Sequence, residues 1–270
     1  MDRRLTPATA RIAHSSLRGK LEAPAFTDGT CRQIALPLVD LLRAPNGPRE
    51  RQLWLGEAFT VIDRDQGHAF GFAQKDGYCG WLPEICLTDS PPPTHWIASP
   101  GTHLYPEPRA AAPQVAALPM GARLTVIGQK GKYAETPQGF VPVSHLKPLG
   151  AYLTDPVTIA EQFLHTPYLW GGNSRAGLDC SGLIQLAHHA CGIAIPGDAD
   201  LQETIGQPAT GDYQRGDLLF WAGHVAIALN SKNLIHANGY TMSVAYEDIA
   251  SAIARIQAAE GNPLRSHRRL

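Results

Sequence analysis

The pattern of hydrophobic and polar positions changes character three times along the chain. Residues 1–30 are irregular and basic, and they predict either an arm that wraps another domain or a frayed terminus. Short alternating apolar runs, separated by Gly, Pro and Asp, then predict strands over 31–90 and again over 91–149. From residue 150 onward helical spacing comes first and apolar strands follow, so 150–270 is predicted to be α+β.

Each of the two β-rich regions predicts a small closed or half-closed barrel. Five or so strands fit into roughly 60 residues of the first region, with turns rich in Gly and Asp. The two regions also end alike, because Gly-Trp-Leu-Pro-Glu-Ile-Cys-Leu at 80–87 is echoed by Gly-Phe-Val-Pro-Val-Ser-His-Leu at 139–146. Three prolines at 91–93 predict a stiff linker between them.

The α+β region begins with helical patterns. Residues 157–164 predict a helix with Pro156 at its first position and Thr154 or Asp155 as its cap. A second helix is predicted within 178–187, where polar start-of-helix residues precede apolar positions at helical spacing. Three apolar strands are then predicted, over residues 217–221, 224–229 and 233–237.

Cys180 is predicted to lie in the first turn of the second helix, between Asp179 and Ser181. There the positive end of the helix dipole and free backbone N–H groups are expected to lower the pKa of the thiol, which favours a nucleophilic thiolate. Taken alone, such a residue is more often a buried cysteine of a core helix. Its interpretation depends on a base elsewhere in the chain.

Two histidines on neighbouring predicted strands provide that base. A three-residue loop at 230–232 places His236 opposite Ala226, so that His224 lies diagonally beside His236 on one face. A four-residue loop at 230–233 would place His236 on the other face of the sheet. A functional pair of histidines therefore predicts the odd loop, or a compensating bulge.

Composition narrows the class of protein. The chain has 270 residues, 44% hydrophobic and 17% charged, and a formal net charge of −1, which provides no electrostatic footprint for nucleic acid or an anionic membrane. No apolar run resembles a secretory signal or spans a bilayer. The five cysteines form no metal-type pairs, so we expect free thiols, no metal or other cofactor, and a cytoplasmic location.

Several motifs keep one order along the second half and carry a resemblance to a known family. They lie at 168–172 (Tyr-Leu-Trp-Gly-Gly), 178–183, 215–220, 223–227 and 234–237. This series resembles the NlpC family of papain-like cell-wall cysteine peptidases. The resemblance implies an α+β fold in which a papain-like catalytic domain, 150–270, follows two bacterial SH3-like barrels. Cys180 then matches the nucleophile, His224 the general base and His236 the residue that orients the base.

The resemblance also implies a substrate. The family typically cleaves the bond between γ-linked D-glutamate and a diamino acid in peptidoglycan stem peptides. Members with two SH3-like barrels act on trimmed murein tripeptides or tetrapeptides whose amino terminus is free, because the first barrel binds that terminus. This chain is accordingly expected to be a thiol protease of murein-peptide recycling. The preferred diamino acid and the oligomeric state stay open.

The resemblance also implies which residues of this chain bind the substrate. They are Glu57 and Tyr78 of the first barrel, with Tyr168, Asp179, Ser181 and Asp198 of the peptidase domain. A carboxylate such as Glu57 would pair with the peptide's ammonium group. One departure is Gly197, where the family often has arginine, and Arg175 or Arg215 would then have to hold a substrate carboxylate.

Two other functions remain open at this point. The barrels could grip cell-wall peptides while the papain-like domain is catalytically silent, although the complete Cys-His-His set argues against this. The thiol could instead serve acyl transfer to a substrate unrelated to murein. Glu57 could equally be a solvated turn residue and Tyr78 ordinary barrel packing.

Overall fold

The structure, a computed structural model, describes residues 1–270, which divide into two units, 1–149 and 150–270. None of its helices is long and apolar enough to cross a membrane. The strands of the first part of unit 1 are β1 Ala13–His14, β2 Phe26–Thr27, β3 Thr30–Ile34, β4 Leu38–Leu42, β5 Arg49–Trp54, β6 Ala58–Asp65, β7 His68–Ala73, β8 Cys79–Pro83 and β9 Leu87–Thr88.

Strands β3 to β9 form one antiparallel sheet in the order β5-β4-β8-β7-β6-β3-β9. Its inward side chains form a core that includes Leu41, Phe59 and Leu82, each fully buried. Gly71 lets β6 and β7 approach closely, because a Cβ there would lie 1.9 Å from the carbonyl oxygen of Thr60. The short alternating runs of the sequence therefore correspond to the strands of one seven-stranded sheet.

The N-terminal segment is an arm that lies on this sheet. It contains short 3₁₀ turns at Arg3–Leu5 and Ser15–Leu17, and β1 pairs with β2 in parallel. Thr9 Oγ1 donates to Asp63 Oδ2 over 2.7 Å, and Arg3 forms an ion pair with Glu50. These contacts tie residues 3 and 9 to the first sheet.

The second part of unit 1 contains smaller sheets. Its strands are β10 His95–Ile97, β11 Gly101–Leu104, β12 Ala116–Pro119, β13 Arg123–Leu124, β14 Gly128–Lys130, β15 Tyr133–Thr136, β16 Gly139–Pro142 and β17 Leu146–Pro148. They form three sheets, ordered β13-β10-β17, β11-β12 and β14-β15-β16. The 3₁₀ turn Val143–His145 follows β16, just as Glu84–Cys86 follows β8. The two segments that echo each other in the sequence, 80–87 and 139–146, therefore have the same local structure, a strand followed by a 3₁₀ turn.

Unit 2 places helices against one antiparallel sheet. Its elements are α1 Pro156–Glu161, β18 Asn173–Ser174, β19 Gly177–Leu178, α2 Cys180–Ala190, α3 Ala199–Gln202, β20 Gln207–Pro208, β21 Leu218–Trp221, β22 His224–Ala228, β23 Asn233–Asn238, β24 Ser243–Asp248, α4 Ile249–Glu260 and β25 Ser266–Arg269. The sheet order is β20-β25-β21-β22-β23-β24, and the helix α2 packs on β22 and β23.

One expectation for unit 2 is wrong, because the helices do not all precede the strands. Helix α4 follows β24, and β25 then returns to pair with β21. Asp248 caps α4 by accepting from the Ser251 N–H over 2.8 Å, and Ile249, Ala252 and Ile256 bury one face. This apolar face of α4 is buried because it packs against side chains of the sheet.

The C-terminal strand is held by a buried carboxylate just before β21. Asp217, 1% exposed, accepts two hydrogen bonds of 2.7 Å from Arg269 and contacts His267 Nε2 at 2.6 Å. The Gln214 N–H also donates to it, over 2.8 Å. Although burial raises the pKa of Asp217, these hydrogen bonds lower it to about 2.

Replacing Asp217 with Asn should destabilise unit 2 by about 2 kcal/mol, because the buried side chain loses its charge-assisted hydrogen bonds to Arg269, which is itself partly exposed. Since the folded pKa is depressed, the wild-type contribution is fully present above the unfolded value near 4 and is lost as pH falls towards 2. Hydrogen exchange of peptides covering 214–221 and 264–270 would measure the effect. Asp212→Asn, at an exposed site, is the control, and equal protection in both variants would contradict the prediction.

Candidate active site

The cysteine at the start of α2 is positioned by its neighbour. Asp179 caps the helix, with Oδ1 accepting from the Gly182 N–H over 2.6 Å and from Ser181 Oγ over 3.2 Å. Its Oδ2 accepts from the Gly171 N–H over 2.8 Å, which ties the preceding loop to the helix. The predicted helix start at Cys180 is therefore confirmed.

The same contacts revise the expected substrate roles of Asp179 and Ser181. Both side chains are buried, and both carboxylate oxygens of Asp179 have donors from its own domain. A capped helix start needs an acceptor for its orphan N–H groups, and Asp179 meets that need locally. These two residues shape the nucleophile's loop, which differs from the open carboxylate subsite implied by the sequence.

The thiol of Cys180 lies against the start of β22. Its Sγ is 3.9 Å from the carbonyl oxygen of Gly223 and close to the Val225 N–H, so it lies beside the residues that flank His224. The N–H groups of Cys180 and Ser181 also approach Sγ. Helix α2 and strand β22 thus bring the predicted nucleophile to the predicted base.

The expected lowering of the thiol pKa is wrong for this structure. Burial and the charge of Asp179 raise the pKa of Cys180 to about 12, and they outweigh the backbone N–H groups that favour the thiolate. Burial also lowers the pKa of His224 to about 3, with the charges of His236 and Arg255 acting in the same direction. The resting pair is therefore a neutral thiol and a neutral imidazole.

This charge state has a measurable consequence for alkylation. The rate at which iodoacetamide modifies Cys180 should rise about tenfold per pH unit from pH 7 to 10 without levelling, since thiolate remains the minor form throughout. An ordinary thiol levels near its pKa of about 8.5. Mass spectrometry of the peptide that contains Cys180 measures the rate, with free cysteine as the control. A constant rate between pH 5 and 8 would instead indicate a preformed thiolate–imidazolium pair.

The register of the two histidine strands is as predicted. Ile227 pairs with Ile235 and Ala228 with Leu234, which corresponds to the three-residue loop at 230–232. His224 Nε2 lies 2.9 Å from His236 Nδ1, and the Trp221 ring packs 5.6 Å from the His224 ring, measured between centroids. The odd loop therefore brings both imidazoles to one face.

Sequence reasoning missed the next two groups. His236 Nε2 lies 3.1 Å from Glu247 Oε2, a close contact rather than a well-aligned hydrogen bond. Glu247 accepts two hydrogen bonds of 2.8 Å from Arg255 of α4. The pairing of His236 with Ala245 puts Glu247 diagonally opposite on the same face. The alternation of 243–248 holds that signal, but only once the partner strand is known.

Two implied substrate-binding residues of unit 2 remain, Tyr168 and Asp198. Tyr168 is half-buried. Burial raises the pKa of its hydroxyl, and the charges of the nearby Cys180 and Asp179 act in the same direction. Asp198 is the half-buried residue before α3. The buried Gln202 of that helix donates to the carbonyl oxygens of Ser181, over 3.0 Å, and Pro196, over 2.9 Å.

The two arginines considered as replacements at Gly197 have other partners. Arg215 forms an ion pair with Asp155 over 2.7 Å and lies 3.5 Å from Glu161, so it secures α1. Arg175 donates to the carbonyl oxygen of Gln162 over 3.3 Å. Arg215 therefore does not offer an open guanidinium for a substrate carboxylate, because local acidic residues already engage it.

Within unit 1, Glu57 is not an open carboxylate. Its Oε1 accepts from Lys75 Nζ over 2.7 Å, its Oε2 accepts from the Trp54 N–H over 3.2 Å, and the side chain is 2% exposed. Lys75 Nζ also lies 4.0 Å from the centre of the Trp54 ring. A buried carboxylate requires a counter-charge, and this chain supplies its own ammonium.

Tyr78 is buried in the first part of unit 1. It is 2% exposed and belongs to the core of the first sheet, with the Arg51 guanidinium 5.7 Å from its ring centre. The burial is compatible with the alternative of ordinary barrel packing, because the aromatic ring belongs to a cluster of buried apolar side chains.

A thiol beside an imidazole pair, carried by a helix on an antiparallel sheet, defines the class of a papain-like cysteine peptidase domain. Residues 165–258 match the model of the NlpC/P60 family, and residues 41–85 match the bacterial dipeptidyl-peptidase Sh3 domain. The chain therefore combines an NlpC/P60 domain, as the motifs of its second half predicted, with a bacterial SH3-like domain inside the first predicted barrel, 31–90. The second predicted barrel, 91–149, stays a prediction.

Similar proteins cover more of the chain. It is 28% identical over 223 residues to a gamma-D-glutamyl-L-lysine dipeptidyl-peptidase of Bacillus cereus, spanning 70% of this chain and 67% of the relative. A Bacillus subtilis protein of the same name is 30% identical over 67% of this chain and 66% of its own length. The Dipeptidyl-peptidase 6 of Lysinibacillus sphaericus is 40% identical, over a third of each protein.

A solved structure shows the same fold. The crystal structure of an NlpC/P60 family protein from Bacillus cereus has a TM-score of 0.75 and 22% sequence identity, covering 89% of this chain and 99% of that one. Its similarity extends over both units. The alignments to the curated relatives above span between a third and about two thirds of their lengths.

Proposed function

We propose that this protein is a cysteine endopeptidase that cleaves the bond between γ-D-glutamate and a diamino acid in murein peptides. The observation that carries the chemistry is the 2.9 Å contact between His224 and His236 beside the Cys180 thiol. The choice of bond rests on the two relatives named gamma-D-glutamyl-L-lysine dipeptidyl-peptidases. Lysine and diaminopimelate are both diamino acids, and the assay below compares them.

The reaction uses only groups of this domain and water. His224 takes the proton of the Cys180 thiol as Sγ bonds to the glutamyl carbonyl carbon, and the N–H of Cys180 stabilises the oxyanion that forms. When the C–N bond breaks, His224 passes that proton to the leaving amine, and a thioester remains. Water then attacks the thioester while His224 takes its proton. Collapse releases the glutamyl carboxylate and restores the thiol.

The high pKa of the resting thiol is compatible with this scheme. Because both partners are neutral, proton transfer accompanies attack instead of preceding it. A positive charge then develops on His224, and the Nδ1 atom of His236 faces its Nε2 across 2.9 Å. The charge is therefore best supported in the transition state, which is where stabilisation accelerates a reaction.

The proposed substrate has a free amino terminus, as the dipeptidyl-peptidase names of the relatives suggest. Such enzymes release an N-terminal dipeptide, here L-Ala-D-Glu, from a tripeptide or tetrapeptide. The pairing of Glu57 with Lys75 means that this preference is not supported by an open carboxylate at Glu57. The preference for a free amino terminus is therefore measured separately from cleavage.

The decisive experiment incubates the wild-type protein with L-Ala-γ-D-Glu-L-Lys and with the diaminopimelate analogue, and mass spectrometry identifies the products. Release of L-Ala-D-Glu together with the free diamino acid supports the proposal. N-acetylated substrates measure the amino-end preference separately. Binding without cleavage would identify a silent binding protein, and products joined to an added amine would identify an acyl transferase.

We further propose that this activity serves peptide recycling in the cytoplasm. All five cysteines are free thiols, and two of them, Cys79 and Cys86, are buried in the first unit without a disulfide. Disulfide-free domains with several cysteines are typical of a reducing compartment. Cell fractionation with an antibody against the native protein tests the location, and recovery outside the cytoplasm would contradict it.

A further inference from the structure

The groups behind the two histidines form a chain of contacts that reaches α4. His236 is 1% exposed and has a partner at each ring nitrogen, with His224 Nε2 2.9 Å from Nδ1 and Glu247 Oε2 3.1 Å from Nε2. Glu247 in turn receives both hydrogen bonds from Arg255. The series His224, His236, Glu247 and Arg255 therefore runs from the base beside the thiol to helix α4.

Proton counting along this series determines which nitrogen carries hydrogen. An ionised carboxylate only accepts, so the ring nitrogen that faces Glu247 must be the N–H of His236. In neutral His236 the other nitrogen, Nδ1, then holds a lone pair. The contact of 2.9 Å requires one donor, and His224 Nε2–H is the one available. The Nδ1 lone pair of His224 is thereby left to accept the thiol proton.

We propose that Glu247 is a positioning residue that fixes the tautomer of His236 and, through it, of His224, while Arg255 holds Glu247 in place. The proposal rests on the peptidase function proposed above and extends it to residues that do not touch the reacting atoms. Outer partners of this kind orient imidazoles and set their tautomers in other sites as well.

Arg255 has a second part in this arrangement. An unpaired carboxylate beside His236 would favour the imidazolium form, which donates at both nitrogens and would reverse the hydrogen bond with His224. The guanidinium of Arg255 offsets the charge of Glu247, so the carboxylate faces Nε2 of His236 without favouring a second proton on that ring. Arg255 is itself steadied by Tyr240, whose ring centre lies 4.5 Å from its guanidinium carbon.

The first test reads the tautomers directly in the substrate-free protein. Histidine labelled with ¹⁵N in the ring distinguishes the two neutral tautomers by the nitrogen shifts, and variants of His224 and His236 assign the signals. The wild-type protein should show the Nε2–H form at both positions. Glu247→Ala should produce a mixture at His236. A wild-type His236 in the Nδ1–H form, or an unchanged spectrum in Glu247→Ala, would overturn the proposal.

The second test measures kinetics. Glu247→Ala should lower kcat about 10–100-fold with a small change in KM. Glu247→Gln, whose amide oxygen can still accept from His236, should recover to within about tenfold of wild type. Glu260→Gln is the matched control, because it replaces a carboxylate with a carboxamide at an exposed position at the end of α4. It should leave kcat unchanged. Equal rates in all three variants would contradict the proposal.

The pH profile separates positioning from simple loss of structure. Arg255→Gln should move the acid limb of kcat upward, because the charge of Arg255 then no longer helps to lower the pKa of His224. The titratable or charged groups that act on His224 are His236 on β23, Glu247 on β24 and Arg255 on α4, and the Cys180 thiol lies beside the residues that flank His224. An unchanged limb would contradict the role of Arg255.

Failure of this inference can be told apart from failure of the peptidase function. If the wild-type protein cleaves none of the γ-glutamyl peptides, the peptidase proposal fails, while the ring-nitrogen spectrum still decides the tautomers. If cleavage occurs and the Glu247 variants retain both wild-type rates and wild-type spectra, only the positioning role fails.

Discussion

Cys180→Ser should lower kcat/KM for L-Ala-γ-D-Glu-L-Lys by at least about four orders of magnitude. The hydroxyl occupies nearly the same space as the thiol, so the buried helix start keeps its packing and the Asp179 cap. A serine hydroxyl is a much weaker acid and nucleophile than a thiol, however, and its shorter bond to Cβ holds the oxygen farther from the glutamyl carbonyl carbon. Product release measured by mass spectrometry over several hours sets the detection limit.

The matched control is Cys191→Ser. Cys191 is a free, half-buried thiol at the other end of the same helix, so its replacement tests the general effect of losing a thiol from α2. We expect wild-type turnover in that variant. Turnover by Cys180→Ser within tenfold of wild type would remove Cys180 from the reaction, and with it the cysteine-peptidase proposal.

His224→Gln should lower kcat by about 10³-fold to 10⁴-fold while KM changes little. Glutamine fills much of the imidazole's volume beside Trp221, but it can neither take the thiol proton nor return it to the leaving amine. Because His224 acts in both halves of the reaction, its loss slows acylation and deacylation together. Single-turnover measurements with an excess of enzyme detect the acylation step alone.

His165→Asn is the control for histidine loss in the same unit. His165 is exposed and has a φ of 66°, a backbone conformation that asparagine tolerates well. Its replacement should leave kcat unchanged. A kcat of His224→Gln above about a tenth of the wild-type value would mean that another group serves as the base.

Local sequence signals predicted the elements that carry the site. The polar residue before Cys180 and the apolar spacing after it located the start of α2, and the confirmed register at 230–232 followed from the two-residue period of a strand. These signals succeed because capping and strand alternation depend on residues within one or two turns of each other. Pro156 at the first position of α1 is a further example.

The sequence was a poorer guide to charged side chains whose partners lie far away along the chain. Glu57 looked like a carboxylate for a ligand, but Lys75, 18 positions later, neutralises it in the folded sheet. Arg215 looked available, but the fold brings it to Asp155, 60 positions earlier. A charged side chain is read correctly only when its counter-charge is known, and that counter-charge is set by the tertiary fold.

The thiol shows the same division most clearly. Sequence by itself determined that Cys180 begins a helix and that His224 and His236 share a face, because both follow from short-range backbone geometry. Only the tertiary structure decided that the thiol is buried, that its pKa lies near 12, and that Glu247 and Arg255 stand behind the histidines. Burial and long-range charge pairing arise when separate elements pack together, and the pattern within any one element does not contain them.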